Sequence, residues 1–297
     1  VSIRNGAKLS HLGASIAGMG TTISGFDGRL VGDVRVAVGG AGPPVLLLHG
    51  FPQTHLAWRE LAPLLAGERT VVCADLPGYG GSAATGDGSK RAMADVLVRA
   101  MDQLGHETFA VVGHDRGALV AFRLSLDHPE RVTHLAVLDV IPQADMWSAL
   151  HGVGTVFAAH LPFLAQPADF PERLIAADPD LFFGHFLDIW QQSELPPDVR
   201  AEYLRASGKS IAAICADYRA GAFVDPRHDE QDRGKRLAMP VLAGWQDPGD
   251  LPLPFDPAEI WRRWAVDLRT ATYPCGHFIA EDQPKALHDD LASLLAA

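Results

Sequence analysis

The 297-residue sequence predicts a doubly wound α/β fold in which a mostly parallel sheet carries an inserted helical cap. Three observations predict it. Apolar runs of strand length stop at loops bearing glycine and proline, helical spacing fills the gaps between them, and a long middle segment has no such run.

Residues 1–24 read as an N-terminal extension, because Asn5, Lys8, Ser10 and His11 break them before any long apolar stretch of a signal peptide could form. After the turn cluster Gly39-Gly40-Ala41-Gly42-Pro43-Pro44, the continuous run Val45-Leu46-Leu47-Leu48 suits a strand buried on both faces. It stops at His49-Gly50-Phe51-Pro52. A second run, Val71-Val72-Cys73-Ala74, stops at Asp75-Leu76-Pro77-Gly78-Tyr79-Gly80. Ser89 is placed to cap a helix from Lys90, with Leu97, Ala100, Met101 and Leu104 on one face and Gly105 ending it. The third run is Phe109-Ala110-Val111-Val112, followed by a helical stretch from Ala118 to Leu126. Leu135 to Asp139 and Pro240 to Gly244 supply two more strands.

Residues 143–232, rich in Phe, Trp, His and Pro, read as the cap, leaving 25–142 and 233–297 as the core. Open α/β folds bind ligands outside the C-terminal ends of their strands, under such a lid. Trp147 and Trp190 are candidates for its pocket lining, with packing inside the cap as the competing role.

Composition narrows the function. With 47% hydrophobic and 21% charged residues the chain is globular, and a formal charge of −11 without a Lys/Arg run longer than two argues against a nucleic-acid partner. A small anion could still bind at a local positive spot. Cys73, Cys215 and Cys275 are odd in number, widely spread and without C-x-x-C spacing, so free thiols and a cytoplasmic location are expected. No run approaches the roughly eighteen apolar residues of a membrane span. No His/Asp/Glu set has ligand spacing, so neither a metal nor a cofactor is expected. The expected partner is a small-molecule substrate, and a homodimer is compatible with the sequence.

The chemistry is concentrated in Gly113-His114-Asp115-Arg116-Gly117, which has the layout of a nucleophile elbow with aspartate where most carry serine. A carboxylate attacking acyl carbon would give an anhydride, a poor intermediate. Against sp3 carbon it displaces a halide or opens an epoxide, leaving an alkyl ester that water then cleaves. The competing role for Asp115 is a helix N-cap. Ester hydrolysis needs a base, and His277, in the late loop Pro274-Cys275-Gly276-His277-Phe278, stands out among 13 histidines. Its orienting acid is Asp139, at the end of the strand after the elbow, in preference to Asp247 or Asp250, whose Pro/Gly surroundings suit turns. The backbone N–H groups of Phe51 and Arg116 are the expected oxyanion donors.

Taken together, His49-Gly50-Phe51-Pro52, Asp75-Leu76-Pro77-Gly78, the elbow, Asp139, Asp217-Tyr218-Arg219-Ala220-Gly221 and Gly276-His277-Phe278 resemble the fluoroacetate dehalogenase branch of the α/β-hydrolases. The likeness spans nearly the whole chain after about residue 25. It implies that Arg116 binds a substrate carboxylate, that Asp139 partners His277, and that His160 and Tyr218 receive the departing halide. Two positions depart from the family: Leu161 replaces a halide-binding Trp, and Leu119 replaces a second carboxylate-binding arginine. Arg123, one turn on, reads as a surface or helix-packing residue. A bulkier or less anionic substrate than fluoroacetate, with chloride or bromide as leaving group, is the expectation. An epoxide hydrolase is the alternative: Tyr218 matches one of its two cap tyrosines, His160 holds roughly the place of the other, and Tyr203 is a replacement for it. A non-catalytic small-molecule-binding homologue is the alternative outside enzymes.

Overall fold

A computed structural model describes residues 21–152, 154–247, 249 and 253–296. Most of the N-terminal extension, and Asp250, lie outside these residues. Eight strands form one sheet: β1 (Asp27–Val31), β2 (Val34–Gly40), β3 (Pro44–Leu48), β4 (Thr70–Ala74), β5 (Phe109–His114), β6 (Val132–Leu138), β7 (Val241–Gln246) and β8 (Leu268–Tyr273). Their order is β1-β2-β4-β3-β5-β6-β7-β8. Pairings of β2 with β1 and β4 are antiparallel, and every other pairing is parallel.

Five of these strands coincide with the apolar runs of the sequence. The other three were not singled out there, for a visible reason. β1 and β8 are sheet edges whose residues are largely half-exposed, and β2 is interrupted by the buried charge of Arg35. In β3 the side chains alternate between two cores: Leu46 and Leu48 join one cluster, Val45 and Leu47 the other. Full burial on both faces is what makes that strand continuously apolar.

The helices are α1 (Ala62–Leu65), α2 (Lys90–Gln103), α3 (Arg116–Asp127), α4 (Gln143–Ala149), α5 (Gly154–Phe157), α6 (His160–Leu164), α7 (Phe170–Ala177), α8 (Pro179–Trp190), α9 (Pro197–Lys209), α10 (Ile211–Phe223), α11 (Asp225–Gln231), α12 (Pro257–Trp264), α13 (Ile279–Asp282) and α14 (Pro284–Leu295). Residues of α2, α3 and α12 fill one core cluster; Leu61 and Leu65, with Leu287 and Leu291 of α14, fill the other. Ser89 caps α2 by accepting from Ala92 N–H at 3.2 Å, and Gly105 just beyond its end has φ +82°. Helices α4 to α11 all fall between β6 and β7.

Arg123 corrects its sequence reading in one respect: it is buried, not at the surface. From α3 it pairs with Asp127, with Asp229 of α11 at 2.9 Å and with Asp232 just after α11, joining the elbow helix to the helical segment. The three cysteines are free and buried. Among the described residues no helix is long and apolar enough to cross a membrane.

Strand order reverses at β3, which lies between β4 and β5. Such a reversal opens a crevice at the C-terminal strand ends. The loop carrying Phe51 follows β3, and Asp115 follows β5.

Candidate active site

Asp115 stands between β5 and α3 with φ 46° and ψ −118°, a conformation rare for a residue with a Cβ. Strain of this kind costs about 1–3 kcal/mol and persists where the surroundings enforce it. Here they do. Gly113 and Gly117 lack positive φ; their role is close approach, since a Cβ on Gly117 would lie 2.2 Å from the Leu48 carbonyl oxygen and one on Gly113 2.4 Å from that of Gly117. Asp115 occupies the N-cap position of α3, yet its side chain makes no capping bond. Its Oδ2 instead accepts from Phe51 N–H at 2.9 Å. Gly50 makes room for this, because a Cβ there would sit 2.6 Å from that of Asp115.

The loop bearing Phe51 is held by a buried polar network. His49 Nδ1 donates to the Gly50 carbonyl at 2.9 Å, and its Nε2 accepts from Leu76 N–H at 3.0 Å. Burial pulls the His49 pKa down, consistent with this neutral form.

His277 and Asp139 meet across the sheet edge. His277 Nδ1 lies 2.5 Å from Asp139 Oδ2, whose carboxylate also accepts from Gln246 N–H and Nε2, each at 2.9 Å. Asp139, like Asp115, has positive φ, 53°. Asp247, the competing acid, is exposed and accepts from Gly249 N–H at 3.0 Å in its own turn. The His277 backbone is fixed from both sides: its N–H donates to the Trp190 carbonyl at 2.9 Å, and its carbonyl accepts from His114 Nε2 at 2.7 Å.

The electrostatics suit a charged Asp115 and a basic His277. Burial works against the Asp115 carboxylate, but His277, Arg116, His114 and the Phe51 N–H outweigh it and its pKa is lowered. Burial likewise disfavours the His277 imidazolium, but the bond to Asp139 and the two nearby carboxylates raise its pKa above 6.5. His114 and His160 are each pushed down to about 4, chiefly by burial, and are therefore neutral at pH 7.

These groups open on a cavity of about 200 Å³. Its floor holds Asp115, Asp139 and His277; its walls include His160, Trp190, Leu119 and Leu161, so both leucine departures face the ligand space. The His160 ring stands edge-on to Trp190 at 5.1 Å and to Tyr218 at 6.0 Å. Tyr218 is buried beneath the Arg116 guanidinium, 4.2 Å from ring centroid to Cζ, and is not among the cavity-lining residues. The Asp115 charge nevertheless adds to the burial that raises its pKa, so the two residues lie within electrostatic reach of each other.

Other expectations require correction. Trp147 does not line the cavity: its Nε1 donates to the Gly221 carbonyl at 2.8 Å, tying α4 to α10. Tyr203 is no second site tyrosine, because its hydroxyl donates to Glu281 at 2.8 Å inside the other core cluster. Arg116 does line the cavity, but its Nε and Nη2 donate to Asp217 at 2.9 and 2.8 Å, and the guanidinium is 2% exposed.

Two important acids escaped sequence reasoning. Asp217 was visible only as part of a motif, and its bonds to Arg116, Lys90 and Tyr79 depend on how the cap docks. Glu281, four residues after His277, accepts from Gln53 Nε2 and Arg59 Nη1, each at 2.6 Å, and from Tyr203, linking the Phe51 loop, the cap and the His277 loop. Burial raises its pKa against the pull of Arg59. Among the described residues no group of three His, Cys, Asp or Glu side chains could hold a metal ion.

Comparison with known proteins agrees with this geometry. The family described as alpha/beta hydrolase fold matches residues 43–188. A fluoroacetate dehalogenase from Burkholderia sp is 42% identical over 287 residues, covering 91% of this chain and 93% of that protein. A soluble epoxide hydrolase from Corynebacterium sp. (strain C12) is 32% identical over 278 residues, covering 86% of this chain and 91% of that one. Among solved structures, a candidate epoxide hydrolase from Pseudomonas aeruginosa superposes with TM-score 0.88 at 43% identity, over 93% of this chain and 97% of that one. With the sheet, the elbow and these relatives in agreement, the chain belongs to the α/β-hydrolase superfamily, in the branch that holds dehalogenases and epoxide hydrolases.

Proposed function

We propose that this hydrolase cleaves the carbon–halogen bond of a small haloacid or related organohalide through an ester on Asp115. The observation that carries the reading is the aspartate elbow, with its carboxylate bonded to Phe51 N–H and its cavity shared with the His277–Asp139 pair. An Asp115 oxygen attacks the halogen-bearing carbon, and the halide leaves with the bonding electrons toward His160 in the cavity wall. Water then adds to the ester carbonyl carbon, giving its proton to His277, while the Phe51 and Arg116 N–H groups receive the oxyanion. Collapse expels the alkoxide, which takes the proton back from His277 and leaves as the alcohol, and the Asp115 acid so formed gives up its proton to solvent to restore the carboxylate.

Alkylation itself prepares the second step. The ester is uncharged, so the Asp115 contribution that raises the His277 pKa disappears and more of the imidazole stands in the neutral form that can act as a base. Asp139 continues to orient it. Fluoride is the hardest halide to displace and relies most on donors around the leaving group, so Leu161 in the wall favours chloride or bromide.

An epoxide hydrolase is the second reading, favoured by the Corynebacterium relative and by Tyr218 near Asp115. Against it, Tyr203 is committed to Glu281. A single turnover in heavy-oxygen water, with assays for free halide and for diol, tests both readings. Label in the Asp115 peptide is expected together with halide. Diol without halide would favour the epoxide reading, and an unlabelled peptide during turnover would exclude the ester.

The acid limb of the pH profile follows from His277. His277 serves only ester hydrolysis and its pKa is raised, chiefly through Asp139, so kcat should be intact at high pH and fall as pH drops through that pKa and the base becomes protonated. Asp139→Asn removes the largest raising influence, so the limb should move to lower pH while the maximal rate falls on the order of 10⁴-fold. A limb that stays in place would show that another group titrates.

A further inference from the structure

The cavity has two unlike ends. At one, the His160 ring lies parallel to that of Phe51 at 6.4 Å, and Trp190 stands edge-on to Phe51 at 6.1 Å. Phe51 follows β3, so this end, where His160 meets the halide, lies on the β3 side of Asp115. The other end runs along the sheet edge past β6 to β7, lined by Ile141 after β6, Met146 of α4, Trp245 of β7, and Leu253 and Phe255 beyond it. Neighbouring strands lie about 4.8 Å apart and β5, β6 and β7 are consecutive in the sheet, so this arm reaches about 10 Å from Asp115.

The arm is apolar in chemistry as well as long. Leu119, in the first turn of α3, adds a buried hydrocarbon wall. The amides of the two glutamines that line the cavity are engaged within the protein: Gln246 Nε2 donates to Asp139 at 2.9 Å, and the Gln143 amide, oriented to satisfy its surroundings, donates to the Gly221 carbonyl at 2.9 Å and accepts from Arg116 at 3.1 Å. A hydrocarbon chain entering here gains burial without stripping either amide of these partners. Room is sufficient, since an apolar cavity of about 150 Å³ holds benzene and this one measures about 200 Å³. A haloacetate, with a single carbon–carbon bond of about 1.5 Å, would leave the arm to water.

We propose that the arm is a substrate subsite, and that the halogen-bearing carbon carries an apolar chain of roughly four to six carbons, as in a medium-chain 2-haloalkanoate. In-line attack sends the halide toward His160 and leaves the other substituents of that carbon fanned out across the line of attack, one of them toward β7. Leu119, Met146 and Phe255 are then specificity-determining residues for chain length. The proposal rests on the ester reading above, since the arm is measured from the carbon bonded to Asp115.

The test compares kcat/KM for bromide release from bromoacetate, 2-bromopropionate, 2-bromobutyrate and 2-bromohexanoate, taking the faster enantiomer of each chiral acid. Each value is normalised to the rate of acetate ion with the same compound in solution. A buried methylene is worth about fourfold, so the normalised value should rise along the series and be at least about tenfold higher for the hexanoate than for the propionate. Met146→Trp, which narrows the arm, should cut that hexanoate-to-propionate ratio by at least about tenfold. Phe255→Ala, which deepens it, should move the optimum on to 2-bromooctanoate. A flat or falling series in the wild-type protein, or a ratio that a folded Met146→Trp leaves in place, would overturn the proposal. If Met146→Trp does not fold, the wild-type series and Phe255→Ala still decide it. Heavy-oxygen label in Asp115 separates the two failures: label with a flat series sinks the subsite alone, whereas bromide release without label, or no release from any member, sinks the reading it rests on too.

Discussion

Replacing Asp115 with asparagine should abolish halide release, lowering kcat/KM on the order of 10⁴-fold or more. The amide is isosteric and can still accept the 2.9 Å bond from Phe51 N–H, so the fold and the cavity should survive. What is lost is nucleophilicity. The burial that opposes the carboxylate is offset by His277, Arg116 and His114, an arrangement that has no purpose around a neutral amide. Because His277 stands in the same cavity and can activate water, slow deamidation is a foreseeable route to false activity. Intact-protein mass before and after assay controls for it. Full activity in a preparation proved to hold asparagine would refute the ester mechanism.

Replacing His277 with glutamine should separate the two half-reactions. Attack by Asp115 needs no base, so about one equivalent of halide per chain should appear and then stop. The steady-state rate should fall on the order of 10²–10⁴-fold. The protein should gain the mass of the alkyl group, on the peptide containing Asp115. Loss of the Asp139 bond at 2.5 Å leaves the Asp115 contact with Phe51 untouched, which is why trapping is expected rather than collapse of the site. Absence of both the burst and the adduct, with the fold intact by circular dichroism, would mean that His277 is needed earlier.

The fold and much of the site were legible because their signals are local. Val45–Leu48 is apolar on both faces since both faces are buried, and the glycines of the elbow are forced by contacts with the adjoining backbone. Asp139 could be preferred over Asp247 from its place at a strand end, and the structure gives each a different partner: His277 for Asp139, a turn N–H for Asp247. The cap was much harder to read. Arg116 and Asp217 are 101 residues apart, and Tyr203 and Glu281 are 78 apart. Nothing in the local pattern around Trp147 says that its indole will find the Gly221 carbonyl rather than a ligand. Such pairings depend on the angle at which helices dock, and no periodicity encodes that.

The cavity draws its reactive floor and its apolar rim from different parts of the chain. Asp115, Asp139 and His277 follow β5, β6 and β8, whereas Met146, Leu161, Leu253 and Phe255 come from α4, α6 and the segment after β7. None of those rim side chains takes part in the hydrogen bonds that align the floor. Drift at the rim can therefore remould which molecules are admitted while the Asp115, Asp139 and His277 geometry is inherited unchanged, so one ancestral scaffold can diversify its diet without rebuilding its floor.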